Sequence, residues 1–154
     1  MKKSILKSIL ALFIVTISFI SCNDNDDEIV AGPPPPPGLP EFLYAEGGAP
    51  SMSTVTTPYA GDSANTIFAV DTGTTVIEIK LAHLAVGVYP INATNTFTYF
   101  KPGTAITWTG FTGNVIITRN TDNKLTGTFD INSGSGSPMI NQVNGSFSNI
   151  PINP

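Results

Sequence analysis

Four kinds of residue in this chain could carry chemistry: one cysteine, one histidine, eleven carboxylates and a set of closely spaced aromatic rings. The histidine, His83, lies between two leucines in Leu81-Ala82-His83-Leu84. A lone imidazole cannot assemble a multi-histidine metal site, so neither a metal centre nor a cofactor is expected. A Ser-His-Asp relay would have to use His83, yet no Gly-x-Ser-x-Gly turn surrounds any serine. Paired carboxylates hydrolyse glycosides when they face each other at ~5–9 Å. The acids after residue 38 are Glu41, Glu46, Asp62, Asp71, Glu78, Asp122 and Asp130. They read as turn residues and wet strand faces rather than a facing pair. Asp24, Asp26 and Glu28 alternate as calcium-loop ligands do, but Ile29 stands where that loop needs its turn glycine. The expectation is therefore a non-catalytic protein. A hydrolase using surface carboxylates or a Ser/His pair is the alternative.

The aromatic residues Tyr89, Phe97, Tyr99, Phe100, Trp108 and Phe111 fall within a short span. Most such rings fill a core, but aromatic platforms also bind sugars and small apolar ligands. Phe97 and Tyr99 share one strand face and Phe100 the other, and Trp108 stands between Thr107 and Thr109. Tyr99, Phe100 and Trp108 are the candidates for a ligand rim, with a glycan or a small apolar molecule as partner.

Cys22 follows a basic start (Lys2, Lys3, Lys7) and an apolar run over residues 9–20. That run is shorter than the ~20 residues of a spanning helix and fits the apolar core of an export signal. Phe19-Ile20-Ser21-Cys22 resembles a lipobox, which implies cleavage after residue 21 and a diacylated cysteine. Two acyl chains make a durable membrane anchor where one does not. Loss of residues 1–21 removes three of the seven cations and leaves Lys80, Lys101, Arg119 and Lys124 against all eleven acids. That balance argues against nucleic acid and against electrostatic docking on a membrane.

Residues 22–38 read as a tether. Asp24, Asp26, Asp27 and Glu28 form an acidic run that resembles the surface-export signal of Bacteroidota lipoproteins, implying placement at the outer membrane or cell surface. Five prolines at 33–37 favour a stiff polyproline II spacer. Extended, residues 23–38 span on the order of 50 Å at ~3.1 Å per residue.

The elements that would position any site lie in residues 39–154, one domain's worth of chain. Thr, Ile, Val, Phe and Tyr dominate, and no long amphipathic helical stretch occurs, so the domain is expected to be all-β. Strands are expected at 41–45, 65–71, 74–81, 88–91, 96–100, 105–109, 114–119, 124–132 and 142–149. Ile77, Ile79 and Leu81 alternate with Glu78 and Lys80, marking a sheet with one wet face. Gly127-Thr128-Phe129 and Gly145-Ser146-Phe147 repeat one step and predict neighbouring roles for their strands. Ser133 to Ser137 (SGSGS) reads as a flexible connector.

The run GNVIITRNTDNKLTGTFDI followed by VNGSFSNIPI resembles a family of small Bacteroidota lipoproteins catalogued as a domain of unknown function. LAVGVYPI and TFTYF are similar to that family's strands, and the likeness covers roughly residues 64–152. It implies a compact antiparallel meander barrel or sandwich, lipocalin-like in outline, and no assigned reaction. Asp62-Ser63-Ala64 also resembles the Asp-Ser/Thr-apolar acceptor of Bacteroidota O-glycosylation, which makes Ser63 a modification candidate.

Overall fold

The structure is a computed structural model that describes residues 38–154 apart from 48, 50 and 51. Cys22, the run Asp24, Asp26, Asp27 and Glu28, the leader and the proline stretch lie outside the described residues. The described residues form strands and no helix: β1 (Glu41–Glu46), β2 (Ser53–Thr54), β3 (Thr57–Gly61), β4 (Thr66–Asp71), β5 (Thr74–Lys80), β6 (Gly87–Pro90), β7 (Thr96–Phe100), β8 (Thr107–Thr121), β9 (Lys124–Ser135) and β10 (Gln142–Asn153).

Seven of these strands close a barrel, in the order β10-β3-β4-β5-β7-β8-β9 and back to β10. Every pairing is antiparallel except β3 with β10, which run parallel at Ile152↔Ala60 and Asn153↔Gly61. Two of the three long strands, β8 and β10, each share one edge between two partners. β10 gives residues 143–148 to β1 and residues 152–153 to β3. β8 gives residues 107–109 to β7 and residues 114–117 to β6. β1, β2 and β6 thus widen the wall centred on β9.

Period-two alternation puts Phe97 and Tyr99 of β7, Phe129 and Ile131 of β9, and Val143 and Phe147 of β10 inside. A chain of rings runs through the interior: Phe147 lies 6.2 Å from Phe42, Phe42 5.6 Å from Phe129, Phe129 5.5 Å from Phe97, and Phe97 6.1 Å from Trp108. These side chains are buried with Ile67, Ile77, Ile79, Ile117 and Ile150 around them. An eight-stranded lipocalin barrel holds its ligand inside. This seven-stranded barrel packs its interior with its own side chains.

The repeated glycine–hydroxyl–phenylalanine step has a definite role. Gly145 pairs with Phe129 and Gly127 with Phe147 across the β9–β10 ladder. Each ring lies over the other strand's glycine, and a Cβ at Gly127 or Gly145 would fall 2.5 or 2.6 Å from the ring covering it.

Several expectations are revised. The strands expected at 105–109 and 114–119 are one, β8, which passes through Gly113 at φ +123°. The first half of SGSGS continues β9 instead of forming a connector. β2 and β3 were not expected, because Pro58 interrupts the apolar pattern. Pro58 is tolerated because β10 pairs with β3 only at Ala60 and Gly61, so its missing N–H costs no ladder bond to β10.

Candidate functional site

The expected aromatic rim comes apart in the structure. Tyr99 and Trp108 are both 0% exposed and sit opposite each other in the β7–β8 ladder. They are core residues, which corrects their assignment to a rim. Their inward position follows from space. Gly134 carries no side chain, and a Cβ there would lie 2.4 Å from the indole Cε2 of Trp108; Gly110 leaves room on its own strand. The flanking threonines point outward while the indole fills the gap that the glycines leave. Its Nε1 is buried and has no hydrogen-bond partner among the described residues.

Tyr99 reaches the end of the barrel by its hydroxyl, which donates to Glu46 Oε1 at the end of β1. Lys101 Nζ donates to the other carboxylate oxygen at 2.6 Å. Burial first, and then the hydrogen bond to Glu46, push the Tyr99 phenol far above the ordinary tyrosine range. The carboxylate thus ties β1 to β7.

Phe100 behaves differently. It points outward, is half-buried, and lines a cavity of about 170 Å³ with Asp71, Thr72, Thr75, Val76 and Thr104. Two local features build that cavity. The β4–β5 hairpin turns through Thr72 (φ +46°) and Gly73 (φ +83°), and a bulge between Ala69 and Val70 leaves Val76 out of the β4 register. Bulges re-aim side chains in this way beside binding sites. On the other side, the loop after β7 closes on itself: Thr104 Oγ1 donates to the Lys101 carbonyl at 2.9 Å, and Lys101 N–H donates to the Ile106 carbonyl at 3.0 Å. Asp71 is held at one oxygen by the Thr56 hydroxyl at 3.0 Å. The cavity offers an apolar ring face, several hydroxyls and one carboxylate, and its other charged lining residue, Lys101, is engaged by Glu46. That combination suits a hydroxyl-bearing ring.

The candidates for hydrolysis lie on separate elements. His83 Nδ1 is 2.8 Å from the Tyr89 hydroxyl. That hydroxyl donates to the Ala85 carbonyl, so the bond to His83 needs the proton on Nδ1. Glu46 is engaged by Tyr99 and Lys101, Asp71 by Thr56, and Asp130 by Gln142 Nε2 at 2.8 Å. Among the described residues no three His, Cys, Asp or Glu side chains gather as a metal site. Asp62 and Ser63 are exposed in the β3–β4 turn. Sequence reasoning missed an aromatic pair on the outer surface: Tyr59 and Phe68 stack at 5.1 Å across β3 and β4. The available signal was the outward position of Phe68 beside Ile67 and Ala69, but β3 itself was hidden by Pro58.

Residues 53–151 match the family described as Domain of unknown function (DUF6252), and the chain belongs to that family. The match takes in β2 and β3, which the likeness read from sequence left out. No curated protein and no solved structure matches this chain.

Proposed function

We propose that this protein is a lipid-anchored lipoprotein of the cell envelope, held at the outer membrane or cell surface by Cys22, and that its β-barrel is a non-catalytic binding module. The ligand is a hydroxyl-bearing ring, a glycan residue or a molecule of that size, received beside Phe100. One observation carries the binding reading: Phe100 turns outward into a cavity of about 170 Å³ walled by threonines and Asp71. A buried cavity of ~150 Å³ accepts benzene, so this volume suits one six-membered ring. The filled interior favours an external site over one inside the barrel. The anchor rests on the basic start, the short apolar run and the lipobox-like residues before Cys22. The acidic run and prolines that follow suit a domain carried clear of the membrane. The exposed Asp62-Ser63-Ala64 turn suits glycosylation of Ser63.

The test pairs two substitutions in the full-length protein. Cys22→Ser should move it from the membrane fraction to the soluble fraction and abolish incorporation of labelled palmitate. Phe100→Ala should weaken binding of methyl glycosides at least tenfold, read by amide NMR in detergent micelles, with the fold retained. Unchanged binding in Phe100→Ala would sink the binding reading, and membrane retention of Cys22→Ser the anchor.

A further inference from the structure

A second concavity lies on the outer face of the wall, over β8, β9 and β10. It is an open groove of about 500 Å³, roughly three times the volume beside Phe100. Strand registry arranges its floor in two rows. Asn114, Asp130 and Asn144 stand opposite one another across the three strands, and Ile116, Thr128 and Ser146 form the next row. Met52 flanks the groove. All six row positions point away from the core, because Val115, Phe129 and Gly145 take the inward positions between them.

We infer that this groove binds a short stretch of neutral, extended glycan laid across the strands, with Asp130 as the central acceptor between Asn114 and Asn144. Four features select that ligand. Side-chain amides and hydroxyls both donate and accept, as sugar hydroxyls do, and a carboxylate accepts two hydroxyl donors side by side. Within each row the side chains repeat at the strand spacing of ~4.8 Å, which is close to the rise per sugar of an extended β-linked chain laid across the strands. β9 is paired along both edges by β8 and β10, so the floor offers no open strand to a peptide. The only charge lining the groove is Asp130, which disfavours uronic acids and phosphates. Ile116 and Met52 supply apolar patches for the C–H faces of the sugars.

The hydrogen-bond inventory points the same way. Asn144 Oδ1 is buried and has no partner among the described residues. A buried acceptor left unpaired is costly. Asp130 uses one oxygen on Gln142 and keeps the other.

The experiment is amide NMR of the lipidated full-length protein in detergent micelles. It is titrated in turn with cellotetraose, mannotetraose, chitotetraose, tetragalacturonate and an extended neutral peptide. The expected result is that at least one neutral tetrasaccharide shifts the amides of residues 114–116, 128–130 and 144–146. Asp130→Ala should weaken that binding at least tenfold, and Thr128→Val several-fold, with amide dispersion retained. Shifts confined to residues 71–76 and 100–104 would overturn the groove while leaving the Phe100 site standing. Silence from every neutral tetrasaccharide would overturn it as well. So would tighter binding of tetragalacturonate or of the peptide.

Discussion

Replacing Gly127 by alanine tests the interlock of β9 and β10. Propensity alone says the change should help, since glycine in a strand costs roughly 0.5–1 kcal/mol relative to alanine. The packing says the opposite. The new Cβ would lie 2.2 Å from the Ile116 carbonyl oxygen and 2.5 Å from Cζ of Phe147. The ring could tilt, but the carbonyl belongs to the β8–β9 ladder and cannot withdraw without loosening it. Overpacking of this kind costs typically 1–3 kcal/mol, and the backbone contact puts Gly127→Ala near the upper end, at about 3 kcal/mol. At about 4 °C per kcal/mol for a domain of this size, the melting temperature should fall by about 12 °C. Gly61→Ala is the control, because its Cβ would meet nothing nearer than the Thr66 carbonyl oxygen at 3.9 Å. It should be neutral or stabilising by up to ~1 kcal/mol. Adding Phe147→Leu to Gly127→Ala should restore none of the carbonyl clash and so leave the protein well below wild type. Urea and thermal unfolding, followed by the emission of Trp108 (the sole tryptophan, and buried), measure all three. If Gly127→Ala proves as stable as Gly61→Ala, the close approach of the Ile116 carbonyl and the Phe147 ring does not constrain this position.

Two further predictions concern the barrel end. The Tyr99 phenol is raised in the folded state, so its neutral form is the one stabilised. That contribution is complete below the ordinary tyrosine value of about 10 and is lost as pH climbs above it. Alkaline unfolding tracked by tyrosinate absorbance should therefore be shallower in Tyr99→Phe, and an unchanged profile would contradict the assignment. Lys101→Met removes only a partly exposed partner of Glu46, whose side chains are 36% and 28% exposed. Its cost should stay below about 1 kcal/mol and shrink further in high salt, as chemical denaturation at two ionic strengths would register.

Much of the strand content was legible because burial and alternation coincide. In β5, Ile77 and Ile79 turn inward and Glu78 outward as the period-two pattern requires. The β8–β9 hairpin was legible from Thr121-Asp122-Asn123. Asp122 and Asn123 adopt φ near +55°, a conformation their short polar side chains tolerate. The repeated Gly-x-Phe step signalled two adjacent strands, though not that each phenylalanine covers the other's glycine. What stayed hidden depends on contacts between distant residues. Thr107 and Thr109 suggested an exposed Trp108. The space that admits the indole is set by Gly134, whose position opposite β8 is a matter of registry. The groove floor was equally invisible, since Asn114, Asp130 and Asn144 become one row only when three strands align. Phe100 could be read as outward-facing from its parity with Phe97 and Tyr99. Its cavity also needed the bulge at Val76, which leaves no compositional trace.

The double use of β10 has a consequence for when the protein becomes itself. β1 meets β10 from Glu41↔Ser148 onward, and the ring shuts only where β10 touches both β3 and β9. Nine described strands precede β10; without it β3-β4-β5-β7-β8-β9 make an open ribbon with β3 and β9 as its loose ends and β6 on β8, while β1 and β2 pair only with each other. Contacts so distant in sequence form late and slowly. A chain made or threaded from its N-terminus therefore cannot close its ring until residues 142–153 arrive. Cutting or unzipping β10 would release the first strand, the parallel seam and the β9 edge together.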